Sequence, residues 1–197
     1  MTHSSTVLIV EDEKNLADLF GIWLQEQFEV HVAYSGEDAL EIFAEESIDI
    51  VLLDRRMPGL SGTEVLQSIR ESGDAQQVIM VTAVQPTEDL ASIDVDDYLL
   101  KPIDRTKLLR AVEAAELILT YEDSLTELLS LTARKATLEA NLDKTELEKD
   151  DRYGDLLQRI RELEEEADTT LQRLETDYQI DMLVRDQRIG SQPVEQF

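Results

Sequence analysis

The stretch Ile48-Asp-Ile-Val-Leu-Leu-Asp54-Arg-Arg-Met-Pro-Gly59 is the most informative segment of this 197-residue chain. Residues 48–53 are its most apolar run, and such a run is typical of a strand that is buried on both faces of a sheet. The strand ends in a carboxylate, Asp54. Because strands buried on both faces occur mainly in parallel sheets, the stretch indicates a parallel sheet with an acidic group at one edge.

Short apolar runs on both sides of this stretch predict four further strands, at residues 6–10, 30–34, 78–81 and 95–99. Amphipathic runs at helical spacing separate them, and Ser35 and Ser61 each begin a sequence with the form of a capping box. Asp104 is then placed to cap a further helix. Strands that alternate with helices predict an α/β fold, a doubly wound five-stranded parallel sheet covered by helices on both faces.

The composition excludes several classes of protein. Asp and Glu number 44 against 18 Lys and Arg, so the net charge is −26, yet 42% of the residues are hydrophobic, which is enough for a core. The absence of cysteine and the presence of only two histidines rule out a disulfide scaffold, a zinc ribbon, a thiol nucleophile and a histidine-rich metal site. A uniformly acidic, lysine-poor surface is typical of a protein that works in molar salt, and an ordinary acidic protein is the alternative. No apolar run is long enough to cross a membrane, so we expect a cytoplasmic protein.

The sequence pattern changes near Tyr121, where strand signals end. Leucines between residues 125 and 142 predict a helix, and apolar residues then repeat at steps of three and four, which is typical of a heptad seam. The seam consists of Tyr153, Leu156, Ile160, Leu163, Ala167, Thr170 and Leu174. The polar run 143–151 predicts the turn between two antiparallel helices. We therefore predict an α/β domain at 1–120, an all-α helical hairpin or coiled-coil domain at 121–187, and a flexible tail at 188–197.

Polar side chains follow four of the predicted strands. The first strand ends in Glu11 and Asp12, the central strand in Asp54 and the fourth in Thr82, while Lys101 follows the fifth. Because the carboxyl ends of parallel strands meet at one edge of the sheet, we expect these side chains to converge. Three neighbouring carboxylates repel one another unless a cation is present, and Mg²⁺ prefers oxygen ligands. The set predicts a carboxylate nucleophile that accepts a phosphoryl group with the help of a metal ion.

The first 120 residues resemble the receiver domain of two-component response regulators. The matching motifs are Val7-Leu-Ile-Val-Glu-Asp12, Ile50-Val-Leu-Leu-Asp54-Arg-Arg-Met-Pro-Gly59, Met80-Val-Thr82-Ala and Asp96-Asp-Tyr98-Leu-Leu-Lys101-Pro102. The resemblance implies a flavodoxin-like fold. It also implies a regulatory phosphoacceptor rather than an enzyme, with a sensor histidine kinase as the phosphoryl donor.

The resemblance implies that Asp54 is the phosphoryl acceptor. It further implies that Asp12 binds Mg²⁺ directly, that Glu11 does so mainly through water, and that the backbone carbonyl of Arg56 completes the metal site. Glu11 stands where the family more commonly has an aspartate. The Arg56 side chain follows the acceptor by two residues, near the expected approach of a dephosphorylating water, and so bears on the lifetime of the phosphoryl group.

The same resemblance implies three switch residues. Lys101 would pair with a phosphoryl oxygen, Thr82 would move to hydrogen-bond another, and Tyr98 would turn inward as Thr82 moves. The Lys101–Pro102 peptide bond is expected to be cis. Since the span between Thr82 and Lys101 is short and contains Pro86, we expect the helix within it to be abbreviated.

The segment after Tyr121 resembles the HalX domain of response regulators of halophilic archaea. The resemblance rests on Ser130-Leu-Thr-Ala-Arg-Lys-Ala-Thr-Leu-Glu-Ala140 and on Asp151-Arg-Tyr-Gly-Asp-Leu-Leu-Gln-Arg-Ile160. Two outputs stay open. The helices could bind DNA and regulate transcription, or they could bind a protein partner or a second copy of the chain.

The charge of this second segment argues against a conventional DNA reader. From residue 121 onward there are 20 acidic and 10 basic residues, a net charge of −10, whereas a DNA-binding face needs a basic patch. The local basic groups are Arg134, Lys135, Arg159 and Arg161. The segment has no histidine, cysteine or glycine-rich loop, so an enzymatic output finds no support.

Overall fold

The computed structural model describes residues 5–73, 76–83, 94–147 and 149–189, with side chains as far as residue 176. The chain divides into two compact units, Met1–Leu119 and Thr120–Phe197. The abbreviated helix expected between Thr82 and Lys101 lies almost wholly outside the described residues. The bounds predicted for the two domains and the tail stay predictions.

The first unit contains one sheet of five parallel strands. The strands are β1 (Thr6–Val10), β2 (Glu29–Ala33), β3 (Ile50–Asp54), β4 (Gln77–Thr82) and β5 (Asp97–Leu100), and their order in the sheet is β2-β1-β3-β4-β5. This is the doubly wound, flavodoxin-like order, and the predicted fold class is confirmed. The order reverses between β1 and β3, so a crevice at the carboxyl ends of these two strands is the expected ligand site.

Six helices lie in the described parts of the chain. They are α1 (Lys14–Leu24), α2 (Gly36–Glu45), α3 (Gly62–Ser72), α4 (Arg105–Asn141), α5 (Lys144–Leu147) and α6 (Asp151–Ile189). The capping box predicted at Ser61 is confirmed: its hydroxyl accepts from the Glu64 N–H, and the Glu64 carboxylate accepts from the Ser61 N–H. At Ser35 one half of the box forms, since its hydroxyl accepts from the Asp38 N–H. Asp104 caps α4 as predicted, by accepting from the Lys107 N–H at 2.9 Å.

Apolar side chains fill both faces of the sheet. On one face, residues of β1, β3 and β4 pack with Ala17, Phe20 and Leu24 of α1 and with Leu108 and Val112 of α4. On the other face, alternate residues of the same strands pack with helices α2 and α3, represented by Ala39, Val65, Leu66 and Ile69. All five residues of β3 are buried, as the continuous apolar run predicted. The two layers hold the carboxyl edge of the sheet in a fixed position.

The second unit is a helical hairpin. The part of α4 after Leu119 runs antiparallel to α6, since Glu127 contacts Arg159 while Glu139, further along α4, contacts Tyr153. The polar run expected as a plain turn contains the four-residue helix α5, and α6 includes residues 188 and 189 of the expected tail. All seven residues of the predicted heptad seam are buried or half-buried, so the seam closes the hairpin on itself. Within the described residues, no helix is both long and apolar enough to cross a membrane.

Candidate functional site

Three carboxylates meet at the carboxyl edge of the sheet. Glu11 and Asp12 follow β1 directly, and Asp54 is the last residue of β3, the strand next to it. One carboxylate oxygen of each residue lies within 4.8 Å of the others. Glu11 and Asp54 are 2% and 8% exposed, whereas Asp12 is open to solvent. The convergence expected from the strand ends is therefore present in the structure.

Lys101 provides the positive charge of the cluster. Its ammonium donates to Glu11 Oε2 and to Asp54 Oδ2, each at 2.6 Å. A backbone hydrogen bond fixes the position from which this side chain extends, because the Lys101 N–H donates to the Thr82 carbonyl at 2.9 Å. The Lys101–Pro102 peptide bond is cis, as expected. One ammonium against three carboxylates leaves the site with an excess of negative charge.

Burial and hydrogen bonding shift the pKa values of both Glu11 and Lys101. Burial raises the pKa of Glu11, and the hydrogen bond from Lys101 offsets this only in part, while the charge of Asp54 adds to it. Burial acts to lower the pKa of Lys101, but the hydrogen bonds to Asp54 and Glu11 outweigh it, so the pKa of the ammonium is raised. Lys101 therefore stays charged at neutral pH.

The donor set of the cluster suits a hard divalent cation. Carboxylate oxygens are the ligands that Mg²⁺ prefers, and it binds through one or two of them while keeping several waters. Asp12 is exposed enough to leave room for such waters. Arg56 lies beside the cluster, and its N–H donates to Asp54 Oδ1 at 3.1 Å. Coordination by the Arg56 carbonyl stays a prediction.

The two remaining predicted residues, Thr82 and Tyr98, lie in β4 and β5. Thr82 is the last residue of β4 and is 1% exposed. Tyr98 lies in β5, half-buried against the core on the α2 and α3 side of the sheet. Burial raises the pKa of the Tyr98 hydroxyl, and the charge of Arg55 partly offsets the shift. Thr82 is on the strand next to β3, which carries Asp54, and Tyr98 is one strand further out. The switch roles of both residues stay predictions.

Gly62 is a site residue that the sequence analysis missed. It begins α3, and a Cβ atom added to it would lie 2.0 Å from the carbonyl oxygen of Asp54 and 3.0 Å from the Cα atom of Arg55. The Gly62 N–H also donates to the Arg55 carbonyl at 3.2 Å. A glycine thus allows α3 to press directly on the end of β3. The sequence signal was the glycine inside the Ser61 capping box, but only the fold shows what it touches.

In the second unit, two of the four local basic groups, Arg159 and Lys135, are paired with carboxylates. The Arg159 guanidinium contacts Glu127 at 2.8 Å and Glu166 at 3.4 Å, and the contact with Glu127 chiefly raises the pKa of Arg159. Lys135 lies 4.0 Å from Glu139. Such pairing offsets the charges of Arg159 and Lys135, while Arg134 and Arg161 are exposed to solvent.

Comparison with known proteins gives two family matches that together span most of the chain. The model of the response regulator receiver domain matches residues 7–113, and the model of the HalX domain matches residues 117–185. The first match covers more than half of the chain.

Three known proteins illustrate these matches. A relative from the halophile Haloferax volcanii, named provisionally as a transcriptional regulator, is 36% identical over 91% of this chain and 30% of its own length. Response regulator ArlR of Staphylococcus saprophyticus is 37% identical over 55% of this chain and 50% of its own length. The chain therefore spans half or less of these curated relatives. The crystal structure of response regulator TrrA of Thermotoga maritima, in complex with Mg²⁺ and BeF, is 36% identical with a TM-score of 0.51, over 55% of this chain and 96% of that one.

Proposed function

Because this chain belongs to the response regulator family, with a receiver domain followed by a HalX domain, we propose that it is the phosphoacceptor of a two-component pathway. In this proposal Asp54 receives a phosphoryl group from a sensor histidine kinase in the cytoplasm. The protein would turn over no other substrate. The HalX domain would carry the output.

One observation carries this proposal. Asp54 is almost buried at the end of β3, lies within 4.8 Å of two further carboxylates, and contacts the ammonium of Lys101 at 2.6 Å. A lone acidic residue at a strand end is usually a cap or a turn residue. A carboxylate that shares its site with a cation and with two potential metal ligands is arranged for attack on an anionic group.

The reaction follows from these positions. A carboxylate oxygen of Asp54 attacks the phosphorus of a phosphohistidine. The new O–P bond forms as the N–P bond breaks, and the imidazole nitrogen keeps the electron pair of that bond. The backbone N–H of Lys101 is held by the Thr82 carbonyl, and its ammonium neutralises the charge of a phosphoryl oxygen. Glu11, Asp12 and Asp54, with the Arg56 carbonyl, are the residues that would hold Mg²⁺, which supplies electrostatic stabilisation of the transferred group when bound.

The switch would use the neighbouring strands. A phosphoryl oxygen on Asp54 offers a new acceptor to the Thr82 hydroxyl, which lies at the end of the adjacent strand β4. Movement of Thr82 frees space that the half-buried Tyr98 ring can enter. The phosphoryl group can shift the equilibrium between the resting and switched states only by the difference in its interaction free energy with the two states. A change of their ratio from 99:1 to 1:99 needs about 5.5 kcal/mol.

Two outputs are proposed for the HalX domain. The first is regulation of transcription, which the name of the Haloferax relative suggests. The second is that of a signalling adaptor whose helices bind another protein without contacting DNA. The net charge of −10 over residues 121–197 favours the second, because a DNA-binding face needs an excess of basic groups.

Labelling with a small-molecule phosphoryl donor such as acetyl phosphate tests the first step. The wild-type protein with Mg²⁺ should gain one acid-stable, base-labile phosphoryl group, and Asp54→Asn should gain none. Asp168→Asn is the matched control, because Asp168 is an exposed carboxylate on α6. Full labelling of Asp54→Asn would refute the assignment of the acceptor.

Crosslinking to DNA in the native cells, at their own salt concentration, tests the output. Discrete enriched sites that are lost in Asp54→Asn would identify a transcription factor. A flat profile, together with protein partners that depend on Asp54, would identify an adaptor.

A further inference from the structure

Arg70 connects three separate segments of the chain. It lies in the last turn of α3, and its guanidinium donates to the carbonyl oxygens of Asp94 and Gln76 at 3.1 and 2.8 Å. It also donates to Asp96 Oδ2 at 2.6 Å. Gln76 directly precedes β4, whereas Asp94 and Asp96 precede β5. A guanidinium that uses its donors in this way holds the starts of two neighbouring strands against one helix.

Asp96 completes the contact between Arg70 and the sheet. Its carboxylate oxygen Oδ2 accepts from the Val78 N–H at 2.7 Å as well as from Arg70. Its own N–H donates to the Val78 carbonyl at 3.0 Å. Since Val78 is the second residue of β4, these bonds set the start of β5 against one defined position of β4. We call Arg70 and Asp96 the β5 anchor.

Strand β5 needs such an anchor, because its own sequence specifies its register only weakly. It lies at the edge of the sheet, has four residues, and buries Leu99 alone among them. Burial of one face is what fixes the register of a strand, and a strand with little buried surface can slip. By contrast, β1 lies between two strands and buries four of its five residues. Backbone pairing with β4 is similar in any register, so it does not prevent a slip of β5 by itself.

The register of β5 determines the position from which Lys101 extends. Lys101 directly follows β5, and its N–H donates to the Thr82 carbonyl at the end of β4. From this position its ammonium contacts Glu11 and Asp54, each at 2.6 Å. A slip by one residue would move Lys101 by about 3.3 Å along the strand and would turn its side chain to the other face of the sheet. Both contacts of the ammonium therefore depend on the register.

We propose that Arg70 is a positioning residue for Lys101: together with Asp96 it fixes the register of β5, and thereby the contact of the Lys101 ammonium with Asp54. The β5 anchor holds the amino ends of β4 and β5, whereas Lys101 lies at their carboxyl ends, so Arg70 acts on the site through the strand. The importance of this position for phosphoryl transfer rests on the proposed function. The position itself does not, and it can be tested without phosphorylation.

Urea unfolding without Mg²⁺ or a phosphoryl donor tests the position of Lys101. Arg70→Ala and Lys101→Ala alter opposite ends of β5, and the effects of such distant substitutions on stability normally add. If Arg70 positions Lys101, the loss of stability caused by Lys101→Ala should fall to about half or less in the Arg70→Ala background. Asp96→Asn removes the charge of the anchor but keeps its size. It should reduce the loss in the same direction, and it serves if Arg70→Ala does not fold.

Asp49→Ala is the matched control. Asp49 precedes β3 and contacts β1 in the way that Asp96 precedes β5 and contacts β4: its Oδ2 accepts from the Thr6 N–H at 2.8 Å, and its N–H donates to the Thr6 carbonyl at 3.0 Å. Burial already fixes the registers of β1 and β3. Asp49→Ala should therefore destabilise the protein but leave the loss caused by Lys101→Ala unchanged.

Two further measurements follow the effect to the site. Arg70→Ala should increase the rate of hydrogen exchange at the Lys101 N–H by about tenfold or more, because the bond to Thr82 opens more often. It should also slow the labelling of Asp54 by acetyl phosphate by about tenfold or more, since a displaced ammonium no longer meets the phosphoryl group. Asp49→Ala should change neither rate to this extent.

Additive losses for Arg70→Ala and Lys101→Ala would refute the inference. Unchanged hydrogen exchange at the Lys101 N–H would refute it as well, and an equal coupling of Asp49→Ala to Lys101→Ala would show general destabilisation instead of positioning. A wild-type protein that acetyl phosphate does not label would contradict the proposed function, while the urea experiments would still decide the role of Arg70.

Discussion

At the scale of single residues, Lys101 has the largest electrostatic role. Its side chain is 19% exposed, and those of its partners Glu11 and Asp54 are 3% and 10% exposed. Removal of one member of a buried ion pair leaves the others uncompensated, which costs 3–5 kcal/mol when burial is complete. Since Lys101 is partly open to water, a smaller cost applies here.

Lys101→Ala is expected to lower the free energy of unfolding by about 2 kcal/mol in the absence of Mg²⁺. The loss should shrink in molar salt, because ions screen the repulsion between the carboxylates. Urea unfolding at low and high KCl measures both effects. Lys149→Ala, which removes an exposed lysine, is the control. An equal loss for both variants would contradict the role of Lys101.

The lowered pKa of Glu64 predicts how the stability of the fold changes with pH. Hydrogen bonds from the Ser61 hydroxyl and the Ser61 N–H hold the pKa of Glu64 below its ordinary value of 4.5. A carboxyl group with a lowered pKa in the folded state stabilises the fold above its unfolded pKa and loses this effect as the pH falls. The difference in stability between wild type and Ser61→Ala should therefore be largest near neutral pH and should decrease below about pH 4.5.

Thermal unfolding between pH 3 and pH 7 checks this expectation. Thr63→Ala, at an exposed position in the first turn of the same helix, serves as the control and should give a difference that does not vary with pH. A Ser61→Ala difference that grows on acidification would show that the capping box does not stabilise ionised Glu64.

At the scale of elements, the contact between α3 and the end of β3 sets the position of Asp54. Gly62→Ala forces a Cβ atom against the Asp54 carbonyl, so either α3 or β3 must shift. Overpacking of this kind costs about 1–3 kcal/mol. We expect Gly62→Ala to lose this stability, as measured by urea unfolding. We also expect slower phosphorylation of Asp54, as measured by labelling with acetyl phosphate.

Gly154→Ala is the matched control for that variant. Gly154 lies near the start of α6, and no atom lies within 4 Å of the Cβ position. Alanine is favoured over glycine inside a helix by about 1 kcal/mol. The same substitution should thus stabilise the protein at residue 154 and destabilise it at residue 62. A neutral Gly62→Ala would show that the two elements are not in firm contact.

The elements also show how far the sequence predicts the structure. The apolar run that ends in Asp54 was sufficient to predict β3, because burial on both faces leaves a continuous hydrophobic signal. The acidic cluster could be predicted in the same way, since the carboxyl ends of parallel strands lie at one edge of the sheet. Gly62 was missed because its importance lies in a contact with a residue eight positions away.

At the scale of the whole molecule, binding of Mg²⁺ should stabilise the native state. The fold brings the three carboxylates together, whereas the unfolded chain separates them, so a metal ion would bind mainly the native protein. The expected gain is about 2.7 kcal/mol when the free Mg²⁺ concentration is one hundred times its dissociation constant. Asp12→Asn should lose most of this gain.

Thermal unfolding with MgCl₂ and with KCl at equal ionic strength separates specific binding from screening of the charge of −26. Asp38→Asn, which removes an exposed carboxylate near the start of α2, is the control and should keep the full response. Equal stabilisation by the two salts would argue against a metal site.

The ammonium of Lys101 already contacts two of the three carboxylates that would hold a metal ion. Because the lysine is part of the chain, its effective concentration at the site is set by the fold and does not change with the surrounding solution. A dissolved monovalent ion brings only the charge that this tethered ammonium already supplies, whereas a divalent ion brings twice that charge. We therefore expect the resting site, with its tethered counterion, to favour divalent ions even where potassium is abundant.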